Sequence, residues 1–186
     1  MKSPFHPFPV LETERLSLRP ITHEDKYQIY DLRTNQEVRK YLDRAPAKNI
    51  HDAIQHINFI QNTMEKNERV VWGMELKGEG KLIGAIGFWR IFPEDYRAEV
   101  GYEMLPDYQG KGLMHETMQE VIRYGFEKLK LHSIEAFLDP RNTKSIALLE
   151  KNNFKMEAHF RERYFRNGEF LDGMIYTLHA SAPSDD

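Results

Sequence analysis

Tyr108-Gln109-Gly110-Lys111-Gly112-Leu113-Met114 stands where a strand-like segment gives way to a helical one, and its composition decides the fold. From Met114 onward, Met118, Val121, Ile122, Gly125, Phe126 and Leu129 recur at helical spacing and share one face. The start of that helix is poor by helix-forming criteria alone. Each glycine costs about 1 kcal/mol relative to alanine in a helical turn. Lys111 places a cation where the helix dipole favours an anion. A phosphate resolves both conflicts: glycines let the backbone approach, free N–H groups point at the anion, and the lysine adds a point charge. A bare Gly-x-Gly is also compatible with a plain loop-to-helix junction. The preceding segment, Ala98-Glu99-Val100-Gly101-Tyr102-Glu103-Met104-Leu105-Pro106, reads as a strand. Strand, glycine–lysine turn, helix is an anion-binding arrangement.

Working outward, the rest of the 186-residue chain reads as one α/β domain with a mixed sheet, antiparallel in its first half. The proline-rich residues 1–10 form an extended arm, 11–179 the domain, and 180–186 a frayed tail. Arg15–Pro20 alternates as a strand. Thr22 caps a helix through Tyr27, Ile29, Tyr30 and Leu32, with more helix around Val38–Leu42 and another from Asn49 to about Lys66. Strands follow at Val70–Leu76 and Leu82–Ile91 around the turn Lys77-Gly78-Glu79-Gly80, the second apolar on both faces and therefore central. Later come a strand at His132–Leu138, a helix from Asn142 to Lys151, and a hairpin pairing Lys155–Phe165 with Phe170–Leu178. The chain has no cysteine, which excludes disulfides, a thiolate metal site and a cysteine nucleophile. A net charge of −3 argues against a general nucleic-acid binder. No apolar run is long enough to cross a bilayer, so no membrane partner is expected and the cytoplasm is the expected location.

The chain resembles the GNAT superfamily of N-acetyltransferases. Gln109-Gly110-Lys111-Gly112-Leu113-Met114 is similar to that family's pyrophosphate loop, (Gln/Arg)-x-x-Gly-x-(Gly/Ala), with Met114 in the small-residue place. Asn142-Thr143-Lys144-Ser145-Ile146-Ala147-Leu148-Leu149-Glu150-Lys151-Asn152-Asn153-Phe154 resembles the Asn-x-x-Ser…Leu-Glu-Lys-x-Gly-Phe segment of the RimJ/RimL branch. The opening Leu11–Pro20 and the closing hairpin, with Asn167-Gly168 and Asp172, fit as well. Asn153 replaces a glycine, and asparagine is the next best residue for a left-handed C-cap.

The resemblance implies a GNAT fold: a mostly antiparallel twisted sheet, flanked by helices, with a V-shaped splay between central strands. It implies acetyl-CoA as co-substrate and no metal. Met104 and Leu105 would hydrogen-bond the pantetheine through their backbone, and the N–H groups of Gln109, Gly110, Lys111, Gly112, Leu113 and Met114 would hold the pyrophosphate. Asn142 would bind the pantetheine amide, cap the helix, or do both. The acceptor is a primary amine, either the N-terminus of a protein or peptide such as a ribosomal protein, or a small amine such as a polyamine or amino sugar. A non-catalytic acetyl-CoA-binding module is the third reading.

Glu99 and Glu103 point to one strand face, about 13 Å apart. Glu103, beside the expected splay, is the candidate general base or amine orienter, with a salt bridge as the alternative. Glu99 reads as structural. The tyrosine that many GNAT enzymes use to protonate the leaving thiolate falls at Leu149, so Ser145 is the candidate substitute, or else an ordinary first-turn serine. The hairpin's edge strands leave monomer and homodimer both open.

Overall fold

In the computed structural model, which describes residues 4–42, 44–166 and 168–180, strand β4 (Leu82–Phe92) is buried along most of its length and lies fourth in a sheet of eight. The strands before it are β1 (Leu11–Glu12), β2 (Leu16–Arg19) and β3 (Val70–Leu76). After it come β5 (Arg97–Met104), β6 (Ser133–Leu138), β7 (Lys155–Arg166) and β8 (Glu169–His179). The order is β1-β2-β3-β4-β5-β6-β8-β7, and every neighbouring pair is antiparallel except β5–β6. This is the mixed, mostly antiparallel sheet expected. The turn between β3 and β4 needs left-handed backbone, and glycines 78 and 80 supply it at φ 86° and 66°.

Thr22 and Asp25 form a reciprocal capping box that feeds a short 3₁₀ turn into α1 (Lys26–Thr34). The helix expected around Val38–Leu42 instead spans Gln36–Arg39 (α2). Asn35 sets that earlier start, its side-chain oxygen accepting from the N–H groups of Glu37 and Val38. Asn49 caps α3 (Ile50–Glu65). On one face of the sheet, Ile29 and Leu32 of α1 and Ala53, Ile57 and Ile60 of α3 bury against Val71, Leu82 and Ala85. On the other face lie α4 (Leu113–Glu127) and α5 (Thr143–Lys151). Met114, Met118, Val121 and Tyr124 of α4 join Trp72, Phe88 and Leu149 in the larger core.

The end of α5 bears out the reading of Asn153, which takes φ 66°. Its N–H bonds the Glu150 carbonyl and that of Phe154 bonds Leu149, closing the helix with Leu149 and Phe154 both buried. The N-terminal arm differs from its expectation. Phe5 is 2% exposed inside the larger core, Phe8 packs edge-on to Trp72, and the Pro9 carbonyl accepts from the Trp72 indole at 2.6 Å. The prolines do keep this segment out of the ladder, but the aromatic rings set between them dock it. Of the tail, residues 181–186 lie outside the described residues. Among those described, no helix is long and apolar enough to cross a membrane.

Candidate active site

Strands β5 and β6 start side by side and then part. They pair only over Arg97–Glu99 and Ser133–Glu135; beyond that, β5 continues against β4 and β6 continues against β8. The gap opens alongside Val100–Met104. In an antiparallel pair successive residues turn their backbone groups to alternate sides. Leu105 donates to the Ile83 carbonyl of β4, so Met104 and Tyr102 turn theirs to the gap. Leu105 also accepts from Tyr108, which leaves it little to offer a ligand through its backbone. The Met104 carbonyl accepts from the Gln109 side chain at 2.8 Å, and by the same alternation its N–H faces the gap.

The glycine–lysine turn sits at the same end of β5. Gly110 and Gly112 adopt φ 75° and 77°, which any L side chain would take up only with strain. A Cβ at Gly110 would meet nothing within 4 Å, and one at Gly112 would meet only the Arg15 guanidinium at 3.5 Å, so their left-handed geometry, not crowding, requires glycine. No side chain caps α4. Its first helical bond runs from Glu116 N–H to the Gly112 carbonyl at 3.1 Å, leaving the N–H groups of Leu113, Met114 and His115 ahead of it. Met114 is 8% exposed, its side chain turned into the core and away from the loop. Arg15, just before β2, holds the loop: its Nε and backbone N–H bind the Glu116 carboxylate at 2.7 and 2.8 Å, and Nη1 donates to the Lys111 carbonyl at 3.0 Å. The ammonium of Lys111 lies over the Tyr108 ring.

Two pairs of side chains face the gap from opposite faces of the sheet. On the α4–α5 side, the Tyr102 hydroxyl and Ser145 Oγ are 2.5 Å apart, joining β5 to the first turn of α5. Burial pushes the Tyr102 phenol up to about 12, only partly offset by the hydrogen bond with Ser145. Asn142 caps α5, its oxygen accepting from Ser145 N–H at 3.2 Å, and so fixes where Ser145 sits. On the α1–α3 side, Glu103 is held by Arg44, with Nη1 3.3 Å from Oε1 and Nη2 on Oε2. Glu103 and Ser145 therefore do not meet. Glu99 pairs with Arg90 at 3.6 Å. Leu149 is fully buried, so the chain has no helix tyrosine at that place to aim at a thioester.

Two of these groups, Arg15 and Arg44, escaped sequence reasoning as members of the site. Tyr102 was legible there as the next candidate at the sulfur after Ser145, and strand alternation puts it on the face opposite Glu103. Arg15 and Arg44 carry no local signal, because their partners lie far along the chain.

A family model described as an acetyltransferase (GNAT) domain matches residues 15–155. The chain is 34% identical over 171 residues to the uncharacterised N-acetyltransferase YoaA of Bacillus subtilis, covering 92% of this chain and 97% of that one. It is 26% identical over 161 residues to spermidine N(1)-acetyltransferase of Escherichia coli, covering 86% and 83%. Its fold superposes with a TM-score of 0.84, at 18% identity and covering 92% and 98%, on RimL, a ribosomal L7/L12 α-N-protein acetyltransferase solved with coenzyme A. With a family match over most of its length and a sheet that splays beside an uncapped glycine turn, this chain belongs to the GNAT family and is an acetyltransferase.

Proposed function

We propose that the protein transfers the acetyl group of acetyl-CoA to the N-terminal α-amine of a protein or peptide. Met104 would take the pantetheine as an added strand, and Asn142 would donate to it through the amide nitrogen that its cap leaves over. The backbone from Gln109 to Met114, with Lys111 and Arg15, would seat the pyrophosphate. Acetyl-CoA supplies an activated acyl carbon. The amine nitrogen bonds to that carbon, the carbon–sulfur bond breaks, and the proton shed by the nitrogen ends on the departing sulfur. Ser145, backed by Tyr102, would steady the sulfur's developing charge.

The observation that carries the choice of acceptor is the pairing of Glu103 with Arg44. Asp139, at the end of β6, is likewise held by Arg141 at 2.6 Å. Neither carboxylate stands free to strip a proton from a strongly basic amine, so Glu103 orients the amine and the amine must reach neutrality with little help. At pH 7 about one in seven peptide α-amines is neutral, against about one in 2,500 alkylammoniums. That gap favours an α-amine. The similarity to a spermidine acetyltransferase supports the second reading, a small polyamine.

Thiol release from acetyl-CoA at pH 7, with peptides and spermidine as acceptors and mass spectrometry of the products, tests the choice. The expected outcome is α-acetylated peptide with little acetylation of lysine side chains or spermidine. Spermidine as the better acceptor would overturn it.

A further inference from the structure

A cavity of about 810 Å³ opens between the α2 segment on one side and the end of β6 with the β7–β8 hairpin on the other. Arg44, which lines it, also holds Glu103, so the cavity adjoins the α1–α3 side of the gap. Its wall is cationic. Arg39, Lys40, Arg44, Arg141 and Arg166 line it, against Asp139 and Glu169, both of which already bind Arg141 at 2.6 and 3.2 Å. Arg39 has no carboxylate partner among the described residues and donates to the Arg44 carbonyl at 3.2 Å. Among the described residues, the Nε atoms of Arg39, Arg44 and neighbouring Arg33 are buried without a hydrogen-bond partner. Asp43 falls in the same sequence segment, and residues 39–46 still carry more cations than anions. This surplus sits on a chain whose net charge is −3.

The field behind the wall has the same sign. Burial, then Arg33, Arg44 and Arg69, push the His56 imidazole down to about 3. Buried guanidiniums without enough carboxylates cost free energy unless a ligand completes them, and the planar fork of arginine fits a carboxylate in bidentate geometry. A polyamine would be repelled here. Phe165 and Phe170, 65% and 63% exposed, meet with tilted rings 4.9 Å apart on the hairpin beside the cavity and offer an apolar flank to a chain with side chains.

We infer that the acceptor is an acidic peptide: Glu103 meets its α-amine, while Arg39 and Lys40 bind carboxylates on the residues that follow. This rests on the reading of the acceptor as an N-terminus and names the sequence class it would carry.

Matched peptides with one N-terminal residue and acidic, neutral or basic residues at the next four positions test it, with spermidine and a phosphorylated small amine as further acceptors. The acidic peptide should exceed the neutral one by about tenfold or more in kcat/KM, and added salt should erode that advantage selectively. Arg39→Glu should bring the acidic-to-neutral ratio towards one. Lys40→Glu, at an exposed position, should move it the same way if the Arg39 variant fails to fold. Robust turnover of all three peptides at equal kcat/KM overturns the inference and leaves the N-terminal reading standing. Turnover of spermidine alone overturns both. A phosphorylated amine outpacing the acidic peptide overturns the peptide as the source of the anion.

Discussion

In the proposed mechanism Tyr102 and Ser145 meet the departing sulfur, and their chemistry limits what they do there. A thiol ionises near 8.5, whereas the buried phenol ionises at about 12. Full proton transfer from phenol to thiolate is thus uphill by about 3.5 pKa units, about 5 kcal/mol. On the proposed mechanism the pair would therefore stabilise the sulfur by donating a hydrogen bond. Tyr102→Phe and Ser145→Ala should each lower kcat by about 10- to 100-fold, with little change in KM for acetyl-CoA. The double variant should be barely worse than either single one, because both act through one contact. Additive losses in a double-mutant cycle would show two independent roles. His56 makes a second residue-scale case. Its ring stacks on Trp89 with centroids 6.1 Å apart, and it stays neutral in the folded protein down to about pH 3. The unfolded chain takes up that proton near 6.5, so between these values unfolding binds a proton and stability falls as pH falls. The contribution is at most about 1.4 kcal/mol per pH unit, less with solvent screening. His56→Phe should flatten the stability curve from pH 6 to 4 in urea titrations; parallel wild-type and mutant curves would refute the assignment.

At the scale of elements, the strand–turn–helix unit shows what local pattern can and cannot convey. The period of 3.6 in α4 and the misplaced glycines announced the loop, and the φ values of Gly110 and Gly112 give the reason for both glycines. Gly112→Val combines left-handed strain with a branched side chain at the anion's seat, so it should raise the Kd for acetyl-CoA by about tenfold or more in a protein that still folds. Lys111→Ala should do less, and its effect should fade as salt rises. Isothermal titration at two ionic strengths separates the two. What local pattern did not convey is partnership across the sheet. Arg44 and Glu103 are 59 residues apart, Tyr102 and Ser145 are 43 apart, and Arg15 and Glu116 are 101 apart. Alternation says which face a residue takes, and the fold alone decides what waits on that face. Glu103 was legible as a carboxylate beside the splay, but its guanidinium partner was not.

For the whole molecule, the succession of strands and helices and the central place of β4 followed from periodicity, whereas the docking of the N-terminal arm did not. Proline density hides it: the segment has no strand or helix period, and only the completed core shows a slot for Phe5. The arm then bears on the larger core through Trp72, which meets Phe8 at 6.3 Å, Phe88 at 6.2 Å and Tyr124 of α4 at 5.4 Å. Phe5→Ala should cost about 3 to 5 kcal/mol, as a buried ring lost from a packed core does. Across a chain of this size that corresponds to a fall in Tm of roughly 6 to 20 °C. The proposed acetyl-CoA seat should not share the loss. It is clamped by Arg15 through Glu116 and the Lys111 carbonyl, and neither bond involves the arm. Calorimetry of Phe5→Ala alone and with coenzyme A decides between local and shared stability. A wild-type Kd measured well below the lowered Tm means that the arm stabilises the core alone. A Kd weakened in step with Tm means that Trp72 and Tyr124 carry the arm's packing through α4 to its first turn, and the arm then belongs to the binding site.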